Sequence, residues 1–165
     1  MILVDEKKLG NALKACLSDS EFPLERRQAV LRAIRKEEKV MAVQDDHMIR
    51  NIQDVGRLIA KLLLHEQQPD YRLPENEEDY TEADKLFSTV MKLAEEGKIN
   101  EAENELYMGM VEDDVDYLEL ALTFYLYLND MDGDFLDDNG YSREEVLEGM
   151  KDLASDWGVT GLEAF

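Results

Sequence analysis

Between Asp46 and Leu64 apolar side chains return every three or four residues: Ile49, Ile52, Val55, Ile59, Leu62 and Leu63 share one face, and Met48, Leu58 and Leu64 widen it. That spacing fits the 3.6-residue turn of a helix and not a strand, whose faces alternate at every second residue. The same period recurs along the rest of the chain, and no segment of strand period competes with it. The expected fold is therefore all-α, a helical bundle of about six to seven helices, with the Asp46 helix central and most buried. Gly56 in its middle costs about 1 kcal/mol relative to Ala, which a closely crossing helix would offset.

Punctuation residues divide the pattern further. Leu9, Leu13, Cys16 and Leu17 form one helical stripe, Ser18-Asp19-Ser20 interrupts it, and Pro23 suits the first turn of a second helix carrying Leu24, Val30, Leu31 and Ile34. Residues 5 to 38 thus read as an amphipathic hairpin, too small to be stable alone. Residues 66 to 80, with Pro69, Pro74 and an acidic run at 75–79, read as the longest loop and the best candidate for disorder. Thr81 with Asp84, Asn100 with Glu103, and Ser142 with Glu145 mark helix starts. Gly97 and Gly158 mark helix stops. The turn after Gly97 is too short for anything but antiparallel neighbours. On the helix that follows it, Ala102, Leu106, Met110 and Val111 are expected to face inward, and another helix is expected from about Val115 to Leu128.

Charge separates the chain into two parts. Overall, 39 acidic against 18 basic side chains give −21, yet residues 1–40 hold nine Lys and Arg against seven Asp and Glu. The expected organisation is an N-terminal amphipathic hairpin at 1–40, serving as a docking or exchange element, followed by an acidic helical body at 41–165. Contact with nucleic acid through phosphates is disfavoured by that charge. No apolar run reaches the roughly 18 residues that a bilayer span needs. Ile2-Leu3-Val4 is followed at once by Asp5-Glu6-Lys7-Lys8, the wrong order for a secretory signal, so a cytoplasmic location is expected. The one cysteine, Cys16, cannot form an internal disulfide and reads as a small core residue.

Candidate chemistry is sparse. Counted from Asp130, a calcium loop would have Phe135 where Gly is needed and Tyr141 where a bidentate Glu is needed, so 130–140 reads as an acidic interhelical loop. His65-Glu66 opens like a zinc-protease helix, but Pro69 stands where the second histidine belongs. His47, after Asp45 and Asp46, reads as a solvated residue at a helix start. Neither a glycine-rich phosphate loop nor a nucleophile elbow is present, and no cofactor or metal ligand is expected. Tyr117, Phe124, Tyr125 and Tyr127 surround more than one face of their helix and read mainly as core. The hydroxyls of Tyr117 and Tyr125 are placed at a rim where they would suit an interface.

Gly97-Lys98-Ile99-Asn100-Glu101-Ala102, with Leu93 and Leu106 flanking, resembles the helix-turn-helix of one tetratricopeptide repeat. No second copy appears about 34 residues away, so the resemblance implies a hairpin and not a solenoid. A broader resemblance runs through Gln44-Asp45-Asp46-His47-Met48-Ile49, Ala60-Lys61-Leu62-Leu63, Phe124-Tyr125-Leu126-Tyr127-Leu128-Asn129 and Tyr141-Ser142-Arg143-Glu144-Glu145. Together these are similar to a family of small acidic all-helical proteins of unknown function from Gram-positive bacteria, over residues 41–158. The resemblance implies no catalytic residue. It leaves residues 1–40 as an addition in front.

The functional expectation is a protein-protein interaction module without catalytic activity, meeting a partner of cationic or apolar surface. Leu9, Leu13, Val30, Leu31 and Ile34 of the hairpin, with Tyr117 and Tyr125, are the candidate contact residues, and residues 1–40 could also join two copies in a homodimer. A small enzyme or ligand carrier with an interhelical pocket is one alternative, and an acidic nucleic-acid mimic is another.

Overall fold

The computed structural model describes residues 24–162 and 165. All six α-helices found there are consistent with the all-α expectation, and no strand occurs among the described residues. The chain separates into two compact units, 1–46 and 47–165. Leu9, Leu13 and Cys16, with the first helix of the expected hairpin, lie outside the described residues.

Helix α1 runs without interruption from Leu24 to Ile59. The separate helix start expected at Asp46 does not exist, and His47 is an exposed residue inside α1. The reason is local. Between Pro23 and Gly56 the chain has neither Gly nor Pro, and Asp in a helix interior costs only about 0.7 kcal/mol, too little to break it. Within the first unit, Val30, Leu31 and Ile34 are half-buried while Val40 and Val43 are exposed.

In the second unit, the inner end of α1 buries Ile52, Val55, Ile59 and Ala60 completely. The helix then widens into a π turn at Ala60–Leu64, closed by His65 in the left-handed region at φ 59°. Because i→i+5 winding turns each residue through a smaller angle, the stripe expected to reach Leu62 slips, and Leu62 is 51 % exposed. At Gly56 the crossing is close, but through side-chain ends: a Cβ there would lie 3.0 Å from Leu126 Cδ2 and 3.0 Å from Met150 Cε.

Residues 66–80, expected to be the disordered loop, form a strap with a single 3-10 turn at Glu77–Asp79. Its backbone is held by side chains of a distant helix: Asp70 N–H donates to Glu119 Oε1 at 3.2 Å, and Tyr71 N–H donates to Thr123 Oγ1 at 3.1 Å. The Tyr71 ring packs 5.0 Å from that of Phe87, and its hydroxyl donates to Asp84 Oδ1 at 2.8 Å. Composition alone does not reveal such anchoring, since it depends on partners some fifty residues away.

Helix α2, Glu82–Glu95, begins with the expected capping box of Thr81 and Asp84. Burial pushes the Asp84 carboxyl up, but bonds from the Thr81 N–H, the Thr81 hydroxyl and the Tyr71 hydroxyl outweigh it and hold the group below the usual carboxylate range. Gly97 ends the helix at φ 78°, a region that costs a side chain energy. Lys98 N–H donates to Leu93 O at 2.9 Å and Gly97 N–H to Ala94 O at 3.0 Å, the paired bonds of a Schellman stop.

Helix α3, Ile99–Gly109, packs on α2 and buries Ile99, Ala102 and Leu106. Its N-cap position is Lys98, so Asn100 does not open it as expected. Helix α4, Val115–Asp130, is apolar nearly all round, with Tyr117, Leu118, Leu120, Ala121, Leu122, Phe124, Tyr125, Leu128 and Asn129 buried. A helix of that kind belongs in the middle of a bundle. It touches α2, the π turn and the last helix, and it takes the central place expected of the Asp46 helix.

The acidic segment expected to be an interhelical loop contains a short helix, α5, at Gly133–Asp138. The Asp132 side chain accepts from Asp134 N–H at 2.8 Å and so caps this helix. Helix α6, Arg143–Asp156, starts with the expected Ser142–Glu145 capping box and stops at Trp157. A Cβ on Gly149 would fall 2.5 Å from the Tyr125 hydroxyl oxygen and 2.6 Å from its ring, so the ring of α4 lies directly on the backbone of α6.

Candidate functional site

The two ends of α3 have different chemistry. On the inner side, Glu103 stands one position past Ala102 and reaches the core, where its Oε1 accepts from the Tyr125 hydroxyl at 2.9 Å and the Tyr141 hydroxyl at 3.0 Å. Both tyrosines are essentially buried, at 1 % and 2 % exposure. Burial, the Tyr107 hydroxyl and the nearby Glu103 charge push the Tyr125 phenol far up. Burial followed by the Glu103 carboxylate does the same to Tyr141. Both phenols therefore stay protonated and donate to Glu103. Glu103 was expected as a helix-start residue, and is instead the acceptor that ties α3 to α4 and to the segment entering α6.

From this buried hub a chain of hydroxyls leads outward, with Tyr107 Oη 3.4 Å from Tyr125 Oη. Tyr107 lies at the surface, and of the apolar side chains that follow it as far as Val115, Met110 packs against the core while three others are left uncovered. Met108 is 74 % exposed, Val111 46 % and Val115 49 %, with Tyr107 itself at 43 %. These four are half of the eight large apolar side chains exposed among the described residues, and they fall within nine consecutive positions. Scattered exposed apolar residues need no explanation, but a group at one end of a well-covered bundle does.

The chain builds this end simply. The buried positions 99, 102 and 106 use up one face of α3, so Met108 falls on the opposite side. The helix stops at Gly109, and Val111, expected to face inward, is carried outward by the turn. Asp113 takes φ 60°, which a short polar side chain tolerates, and Asp114 then caps α4 by accepting from Asp116 N–H at 3.1 Å. Val115 opens α4 before its buried face begins.

The electrostatic setting is one-sided. From Ile99 to Ser142 there is no Lys, Arg or His, against thirteen Asp and Glu, so α3, α4 and α5 all fall within a stretch free of cationic side chains. Lys98 and Arg143 bound it, and Lys98 is occupied with Glu96 at 2.8 Å.

Among the earlier contact candidates, Tyr125 and Tyr117 (9 % exposed) belong to the core and offer no rim to a partner. The sequence of α4 has no polar side from which the direction of their hydroxyls can be read. Val30, Leu31 and Ile34 are half-buried on α1. The residues missed were Tyr107, Met108, Val111 and Val115; the signal available for them was the basic-free stretch in which they lie.

Among the described residues no three His, Cys, Asp or Glu side chains converge as metal ligands would, and no helix is long and apolar enough to cross a membrane. Two surface depressions lie on the strap and open to solvent, one at 66–70 that includes Pro69 and one at 75–79 lined by polar residues.

A family model described only as a family of unknown function, DUF6483, matches residues 42–158. The chain belongs to this family. The match begins within α1 and ends just after α6, so it takes in the strap, the Glu103 hub and the exposed end of this DUF6483 chain. No curated protein and no solved structure matches it.

Proposed function

We propose that this DUF6483 chain is a non-catalytic protein-interaction module of the cytoplasm whose contact surface is the α3–α4 end. The observation that supports the reading is the grouping of Tyr107, Met108, Val111 and Val115 at an exposed turn above an otherwise covered core. Protein-binding surfaces combine an apolar centre with a polar rim, and aromatic and Met side chains are common in the centre. Met adapts to different partners because its side chain is unbranched and polarisable. The α2–α3 hairpin, whose turn resembles that of a tetratricopeptide repeat, supplies the rigid support.

Site-specific photo-crosslinking tests the reading. A photoreactive amino acid placed at Met108 or Val111 of the full chain, in cells of the organism that makes it, should give discrete protein adducts; the same group at Glu148, exposed on α6, should give none. Equal labelling from all three positions, or none from any, would show that the α3–α4 end is not a contact surface.

A further inference from the structure

We infer that the partner segment received at the α3–α4 end is a Lys- and Arg-bearing amphipathic helix of another protein, seated by its apolar face. This inference rests on the reading above and adds the chemistry of the partner.

Two independent features select it. The first is polarity: Met108, Val111 and Val115, with Tyr107 before them, stand exposed on the end of α3, the turn and the start of α4, an apolar strip of the chain. An amphipathic helix offers such a strip an apolar face flanked by charge. The second is charge. Glu105, Glu112, Asp113 and Asp116 are exposed on the same segment, and the stretch from Ile99 to Ser142 that carries them holds no Lys, Arg or His of its own. An acidic or neutral helix would leave these carboxylates facing like charge or losing water for nothing in return, whereas Lys and Arg flanking an apolar face pair with them at the rim. Rim pairs contribute little affinity each, so the apolar strip sets strength and the carboxylates set encounter rate and partner choice.

The two features separate in one experiment. The full chain is titrated, by fluorescence anisotropy, into a labelled amphipathic Leu/Lys peptide of about 18 residues, five helical turns. The comparison peptides are a scrambled isomer of the same composition and a Leu/Glu counterpart. The Leu/Lys helix should bind at least about ten-fold more tightly than its scrambled isomer, a difference of about 1.4 kcal/mol, and the Leu/Glu peptide should not bind. Raising salt from about 0.05 to 0.5 M should weaken the complex.

The decisive variant is Met108→Asp with Val111→Asp, which makes the protein more acidic while removing the apolar strip. It should lose at least about ten-fold in affinity; a merely electrostatic attraction would strengthen instead. Both side chains are exposed, and circular dichroism with Val115→Asp as a second variant keeps the comparison independent of folding.

The inference is overturned if the scrambled peptide binds as well as the helix, or if the double variant binds as well as the parent. It is equally overturned if the protein alone self-associates through this surface and the double variant is monomeric, which would assign the end to a second copy. Crosslinks from Met108 to a partner whose contacting segment is acidic would sink the cationic-helix inference and leave the interaction-module reading intact.

Discussion

Gly149→Ala should destabilise the protein by about 1–3 kcal/mol, although alanine is the better helix former by about 1 kcal/mol. The added methyl meets Tyr125 at 2.5 to 2.6 Å through three atoms of a stiff group. That ring cannot retreat, because its centre lies 5.4 Å from that of the Phe124 ring and its hydroxyl is fixed by Glu103. Gly56→Ala is the internal control. Its new methyl would meet Leu126 Cδ2 and Met150 Cε at 3.0 Å, both ends of flexible side chains, so crowding and helix propensity nearly cancel. At about 2–4 °C per kcal/mol for a chain of this size, the Gly149 variant should melt roughly 2–12 °C lower and the Gly56 variant near the parent. Equal melting shifts for the two would mean that Tyr125 does not hold its position on α6.

Replacing Glu103 by Ala should cost more, roughly 2–5 kcal/mol, because two buried phenol hydroxyls lose their acceptor together. Each orphaned donor carries a desolvation penalty of about 1–3 kcal/mol, and the 3.4 Å approach of Tyr107 only partly compensates Tyr125. Glu103→Gln keeps a carbonyl acceptor and should cost less than half as much. Adding Tyr141→Phe to Glu103→Ala should recover part of the loss, since an absent donor needs no partner. Urea unfolding of the four proteins measures this directly, provided the m-value is unchanged. A Glu103→Ala protein within about 0.5 kcal/mol of the parent would mean that the hydroxyls reach water and that the hub is not sealed.

How much of this was visible in the sequence depended on how local the cause was. Thr81 with Asp84 and Ser142 with Glu145 act across three residues, and Gly97 acts on its own turn, so their roles could be read from neighbours alone. The continuity of α1 is also written locally, in the absence of Gly and Pro before Gly56, although Asp45-Asp46 resembles a helix start whose small cost does not break the helix. The π turn after Ile59 leaves no compositional trace and rotated Leu62 out of the core. Glu103 and the strap at 66–80 could not be read locally at all, because their partners are Tyr125, Tyr141, Glu119 and Thr123. The exposed α3–α4 end fell between these cases. Met108 lay off the stripe of Ala102 and Leu106, a positional clue outweighed by the aromatic content of α4.

The buried amide of Asn129 donates to Ile49 O at 3.2 Å across a separation of 80 residues. Most other packing in the second unit joins helices adjacent or nearly adjacent in the chain, such as α2 with α3. Closing the long loop costs entropy before its contacts form, so the order of assembly follows: α2, α3 and α4 collapse first, and the inner end of α1 locks on last. Ile52 and Val55 would then contribute nothing to the folding barrier. Truncating either, as in Ile52→Val, should speed unfolding in proportion to the stability lost and leave the refolding rate unchanged, a φ-value near zero in a stopped-flow chevron. A slowed refolding arm would instead place the inner end of α1 in the nucleus.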